Sequence, residues 1–184
     1  MIALFSKNTQ TIAAENLYRK IVVRARDPYF YEDYGVPDSV DGRFEMITLH
    51  AFLVLRYLKP QLGGQNAVGQ ALFDVMFEDM DLSLREMGAG DMGVGKRVKA
   101  MVKAFYGRVA SYEAGLGTSD DELVKALTRN VYGTTVPNPT QVSLLANYLR
   151  SQDAHLACVG PVALENGEFE FSSFSGRNTE KHVL

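Results

Sequence analysis

One cysteine, Cys158, is all the thiol chemistry available to this chain of 184 residues. A lone thiol excludes an internal disulfide framework and a multi-thiolate metal site, and it suits a reducing compartment. Histidine is almost as scarce, with three copies at His50, His155 and His182. Long apolar runs are absent too. The most apolar stretch, 47–58, includes His50 and Arg56 and is far shorter than the roughly 20 residues that span a bilayer. The opening MIALFSKNTQ has Lys7 as its one base, which fits neither a secretory signal nor an Arg-rich organelle presequence. A formal net charge of −3 provides no basic excess for bulk nucleic-acid binding, so no DNA partner is expected. These absences predict a cytoplasmic protein whose membrane contact is peripheral, at the inner face of the cytoplasmic membrane.

What is present reads as helix. The length suits one domain with a substantial core, and 46% hydrophobic with 22% charged residues is ordinary for a globular chain. Ala14, Leu17, Tyr18, Ile21 and Ala25 lie on one face of a first helix over 9–26, stopped by Asp27-Pro28. The aromatic, turn-rich 29–42 is expected to be a loop packed by its own tyrosines. A second helix opens at Asp41 or Gly42 and runs to Lys59, with Pro60, Gly63 and Gly64 as its break. A third, 65–86, carries a stripe of Phe73, Phe77, Met80 and Leu84. Gly88, Gly90, Gly93 and Gly95 mark a flexible turn before a fourth helix over 95–115.

Ser119 with Glu122 forms a capping-box pattern for a fifth helix reaching Tyr132. Asn138-Pro139 opens a sixth, to His155. Alternating polarity around Asn166-Gly167 then predicts a hairpin over 162–171 or an extended tail docked on the helices. The expected architecture is all-α: a single-domain bundle of about six helices with a short C-terminal hairpin or extended tail. Its parts are an N-terminal helix (1–26), a helical domain (27–160) and a C-terminal segment (161–184).

Several constellations suggest chemistry. Gly90-Asp91-Met92-Gly93-Val94-Gly95-Lys96 approaches a phosphate loop, but Arg97 follows where magnesium binding needs Ser or Thr, and the preceding segment reads as helix rather than strand. Only a glycine-rich helix start able to hold an anion survives. Asp74, Glu78 and Asp81 share a helical face, and like charges four apart cost about 0.2–0.5 kcal/mol per pair. Either they pair internally with Arg85, Lys96, Lys99 and Lys103, or they form an acidic docking face for a partner. A carboxylate metal site is the weakest alternative, and no metal or other cofactor is expected. Arg85, Lys96, Arg97, Lys99, Lys103 and Arg108 form a basic run that is either a solvated face or a contact for phosphate in ribosomal RNA or lipid headgroups. Met76, Met80, Met87, Met92 and Met101 fill core gaps or grip apolar segments. No Ser, Cys or Asp has a motif placing it beside a base, and His50 lies on an apolar face, so the chain reads as no enzyme.

The segment from Asp79 through Leu84-Arg85-Glu86-Met87-Gly88 to Asp91, then Gly95-Lys96-Arg97-Val98-Lys99 and Ala104-Phe105-Tyr106-Gly107-Arg108, resembles the ubiquinol–cytochrome c chaperone family. Ile47-Thr48-Leu49-His50 and Leu53 to Leu58 fit the same pattern, so the resemblance covers about 28–116. It implies an all-helical, non-enzymatic chaperone for assembly of the respiratory cytochrome bc complex. Mitochondrial relatives work with a small partner near the ribosomal exit and accompany newly made cytochrome b. The short chain and its opening residues point to a bacterial-type member. Carried over, the motif positions are Asp79, Asp81, Arg85, Glu86, Gly88, Gly90, Asp91, Lys96, Lys99, Phe105, Tyr106 and Arg108. With Phe77 and Lys103 added, the side chains among them are the expected partner-binding surface. The expected partners are cytochrome b or other cytochrome bc subunits, with the ribosome or an anionic membrane surface as further candidates.

Overall fold

A computed structural model describes the backbone of residues 2–58, 66–88 and 90–174, and the side chains of these except at 2–8, 91 and 92. Every regular element among the described residues is a helix. The order is α1 (Ile2–Ala25), α2 (Pro28–Glu32), α3 (Val40–Tyr57), α4 (Ala67–Glu86), α5 (Asp91–Gly117), α6 (Asp120–Asn130) and α7 (Pro139–Glu165). Six long helices and one short one thus make the all-α architecture expected from periodicity. The predicted break at Pro60, Gly63 and Gly64 lies outside the described residues.

Local chemistry sets most of the helix starts. Ser39, Asn66 and Ser119 each accept a hydrogen bond from a backbone N–H of the following first turn, satisfying donors that have no intrahelical partner. Asn138 and Gln141 form a reciprocal capping box, with Pro139 at the first helical position. The expected loop at 29–42 is partly helical. Asp27 caps the single turn α2 by accepting from the Tyr29 N–H, and that turn drives Phe30 into the core at 0% exposure. The turn near Gly88 is also shorter than expected, because α5 already begins at Asp91 and absorbs Gly93 and Gly95 into its first turns.

The C-terminal expectation of a hairpin needs correction. Helix α7 continues through a kink at Gly160 (φ 77°) and Pro161 to Glu165. Gly167 then takes φ 71° and donates to the Leu164 carbonyl, while the Glu168 N–H reaches back to Ala163. That pair of bonds is a Schellman helix end, with glycine in the left-handed conformation it tolerates best. Asn-Gly serves a hairpin turn and a helix terminus equally well, and without a partner strand the helix end forms. Residues 168–174 are the extended tail, lying on the helices.

Helix α3 is the axis of the bundle, packed against α1, α5 and α7, while α1 also lies along α4, and α6 bridges α5 and α7. Met46, Leu49, Phe52, Leu53 and Val54 of α3 are all buried, so apolar residues surround most of its circumference. At Gly115 the α5 backbone comes so close to α6 that a β-carbon would stand 2.8 Å from the Leu123 α-carbon.

Candidate functional site

The expected contact residues lie along the antiparallel pair α4 and α5, and the fold divides them into two groups. One group is engaged by other side chains of the protein. Phe77 and Phe105 are buried, with their rings edge to face at 5.9 Å. Arg108 lays its guanidinium across the Glu45 carboxylate of α3, giving Nε to Oε2 and Nη2 to Oε1, and its Nη1 donates to the Ala104 carbonyl at 3.1 Å. Glu45 is only 5% exposed. Its burial raises the carboxyl pKa against the pull of Arg108, while the pairing raises the Arg108 guanidinium. Asp79 faces α1, where the Tyr18 hydroxyl donates to its Oδ2 at 2.7 Å. Burial, then this bond, pushes the Tyr18 phenol well above its ordinary range. These four residues, expected to meet a partner, hold α4 and α5 onto α1 and α3.

The second group faces outward. Asp81 and Arg85 pair along α4 at 2.5 Å, the i,i+4 arrangement. Glu86, Lys96, Lys99, Lys103 and Tyr106 are exposed, Tyr106 at 59%. Asp91 starts α5, and its side chain lies outside the described residues. Of the internal pairing expected for the acidic cluster, Asp81 with Arg85 is the one that forms among the described residues. No ion pair joins Lys96, Lys99 or Lys103 to a carboxylate among the described residues. Asp74 instead accepts from Gln70 at 2.8 Å.

Between the two helices runs an open groove of about 790 Å³. Phe73, Phe105, Tyr106 and Val109 line it from α4 and α5, Phe52, Leu55 and Leu58 from α3, with Gln10 and Thr11 of α1 at one edge. The rings interlock: Phe73 lies 4.6 Å from Phe77, 5.8 Å from Phe105 and 5.7 Å from Tyr106. Asp74 and Glu78 stand on the α4 side. Lys103 and Lys99 precede Tyr106 by three and seven residues, so they share its side of α5. Arg56 also lines the groove, but Glu113 at 2.6 Å and Asp153 at 3.0 Å neutralise it. The Tyr57 hydroxyl bonds Asp153 at 2.7 Å, and burial with that bond pushes the phenol up to about 12. Periodicity identified the aromatic stripe of α4, but the α3 contribution was invisible because α3 is apolar on nearly every face.

His50 has no room for chemistry. It is fully buried, with Nδ1 at 2.7 Å from the Met46 carbonyl and Nε2 at 2.8 Å from the Tyr148 hydroxyl. Burial pushes its pKa down to about 3, which keeps the ring neutral. Among the described residues no group of three His, Cys, Asp or Glu side chains is placed to hold a metal, and no helix is long and apolar enough to cross a membrane.

A family model described as ubiquinol–cytochrome C chaperone matches residues 32–171, running beyond the 28–116 resemblance through α6, α7 and into the tail. The chain is 26% identical over 141 residues to ubiquinol–cytochrome-c reductase complex assembly factor 1 of Xenopus laevis, covering 77% of this chain and 70% of that one. To the Mus musculus protein of the same name it is 25% identical over 177 residues, 96% of this chain but 60% of the relative. With mitochondrial protein CBP3 of Saccharomyces cerevisiae it shares 28% over 149 residues, 78% of this chain and 44% of the yeast protein. The chain thus spans about half to two thirds of the length of these curated relatives. The crystal structure of the Cbp3 homolog from Brucella abortus superposes with a TM-score of 0.83 at 35% identity, over 97% of this chain and 100% of that one.

Proposed function

This chain belongs to the ubiquinol–cytochrome c chaperone family, and on that premise we propose that it is a non-enzymatic assembly factor of the ubiquinol–cytochrome c reductase (cytochrome bc) complex. Its client is newly made cytochrome b, held against the outer face of α4 and α5 until the other subunits join. The observation carrying this proposal is the groove lined by Phe73, Phe105, Tyr106 and the acids Asp74 and Glu78, with exposed lysines on the Tyr106 side of α5 that pair with no carboxylate among the described residues. A partially assembled membrane polypeptide offers apolar segments bordered by charge, and this surface complements both features. We place the protein in the cytoplasm, working at the inner face of the membrane where its client inserts.

The test is a photo-crosslinking residue at position 106 or 99 in growing cells. Cytochrome b is the expected capture, and deletion of the chain lowers assembled cytochrome bc complex while transcript levels stay normal. Normal amounts of spectroscopically intact complex in a clean deletion strain would refute the assignment. The exposed Lys96, Lys99 and Lys103 also suit an anionic membrane surface or the ribosome, with a broader client range. That second function requires salt-sensitive co-sedimentation with anionic vesicles or ribosomes, abolished by charge reversal at the three lysines. Unchanged co-sedimentation of the reversed chain rules it out.

A further inference from the structure

We propose that the α4–α5 groove seats one amphipathic helix of the partner, its apolar stripe on the aromatic floor, a cationic flank against Asp74 and Glu78, and an anionic flank against Lys99 and Lys103. This rests on the α4–α5 face being the client surface and specifies the chemistry of what lies there. The floor favours a helix. Phe73 and Tyr106 form an apolar strip backed by the buried Phe105, with ring centroids 5.7–5.9 Å apart. Such a strip receives side chains recurring at i, i+3, i+4 and i+7. Tyr106 stays 59% exposed with its ring on Phe73, leaving apolar surface in water that a bound helix would cover.

Charge then chooses among helices. Inside the groove the Arg56 cation is neutralised by Glu113 and Asp153, so its fixed charge comes from Asp74 and Glu78. These acids are four residues apart and repel each other, a cost that a cation on the ligand relieves. On α5, by helical spacing on the Tyr106 side, Lys99 and Lys103 are exposed and, among the described residues, paired with no carboxylate. Among the described residues no ion pair joins these lysines to Asp74 or Glu78, so both charge rows remain available. An anionic bilayer laid over this face would meet Asp74 and Glu78 with like charge, which favours a peptide helix over a lipid surface.

The test titrates the full chain with fluorescent helical peptides of about 18 residues, long enough to hold a helix in water. All carry leucine at i, i+3, i+4 and i+7. One has a lysine flank and a glutamate flank, the second has lysine on both flanks, and the third has glutamate on both. The mixed peptide is expected to bind at least about tenfold tighter than either control, a difference of about 1.4 kcal/mol. Replacing the acidic rim by Asp74→Lys with Glu78→Lys, both exposed positions, is expected to move the preference to the double-glutamate peptide. Tyr106→Ser is expected to weaken all three.

Equal affinities for the three peptides, no saturable binding, or an unmoved preference in the charge-reversed chain would each overturn the proposal. So would tight binding to anionic vesicles combined with none to peptides. If the crosslinker at position 106 still captures cytochrome b after any of these results, the client surface stands and only its helix-seating role fails.

Discussion

Lys20 and Arg24 on α1 and Lys99 and Lys103 on α5 are cations on long helices, alike in composition and opposite in surroundings. Lys20 bonds the Phe169 carbonyl and Glu170, and Arg24 reaches the carbonyls of Phe171 and Ser172 while lying 4.8 Å from the Phe174 ring centre. Gln152 of α7 completes the clasp, accepting from the Ser172 N–H at 3.0 Å and donating to its carbonyl at 3.2 Å and its hydroxyl at 2.6 Å. The tail therefore lies in a cleft whose cations already have their acceptors. Across the molecule the lysines of α5 have none among the described residues, and the aromatic strip beside them is partly open. A cation on a helix tells little until its neighbours are known. Satisfied by backbone carbonyls it fastens the fold, and left unsatisfied beside apolar rings it offers a place to bind.

The sharpest way to break this contrast is at Arg108, which lies on the same helix as the exposed lysines but works inward. Arg108→Ala strands the buried Glu45 carboxylate and is expected to cost about 3–5 kcal/mol in urea unfolding. A loss below about 1 kcal/mol would return Arg108 to the proposed docking surface. On the opposite side, Phe174 is 4% exposed and stacked at 5.3 Å on Tyr148. Phe174→Ala is expected to lose about 3 kcal/mol and to release the tail to proteolysis. A stable variant with a protected tail would show that the strap is held by its backbone bonds alone.

The core beneath the strap makes a pH prediction. Folded His50, at about 3, binds its proton far less readily than the unfolded chain, whose histidine titrates near about 6.5. Between those limits the unfolded state takes up more protons, so stability is full above about 6.5 and falls as pH drops through the window. The expected slope approaches about 1.4 kcal/mol per pH unit, read most clearly from urea midpoints between about pH 5 and 6.5, before carboxylates contribute. His50→Gln should flatten it; an unchanged slope would assign it to other groups. Gly167→Ala tests the helix end at φ 71°, where a β-carbon would also approach the Asn16 β-carbon at 3.3 Å. The expected loss is about 1–2 kcal/mol by thermal melting. Smallest of all, Lys96→Gln, Lys99→Gln or Lys103→Gln should each change stability by less than about 0.5 kcal/mol, which leaves these positions usable for binding tests.

Much of the helical framework was legible because its signals are local. Asn138-Pro139 with Gln141, Ser119 before an acidic turn, and the 3.6-residue stripe of Phe73, Phe77, Met80 and Leu84 all act within a turn or two of the chain. The family motif in 79–108 was legible for the same reason, since it is a contiguous string. Asn166-Gly167 misled because one dipeptide serves two geometries. Phe30 was missed as the centre of a helical turn because α2 is only five residues long, too short for periodicity to register. The sequence showed α4 and α5 as oppositely charged rods joined by a glycine-rich turn, without showing which of their charges face inward.

Sequence alone determined that the long helices exist, several of their capped starts and which segments carry charge, because caps, turns and i,i+4 neighbours are fixed by covalent spacing. Only the tertiary structure decided that Arg108 spends its charge on Glu45, 63 residues away, and that Tyr18 holds Asp79 across 61 residues. It likewise brought Lys20 to a tail 149 residues further on and left the lysines of α5 without a carboxylate among the described residues. Pairings of that kind depend on how whole helices pack, and packing is settled by the shape of the buried faces rather than by the charged residues that end up meeting.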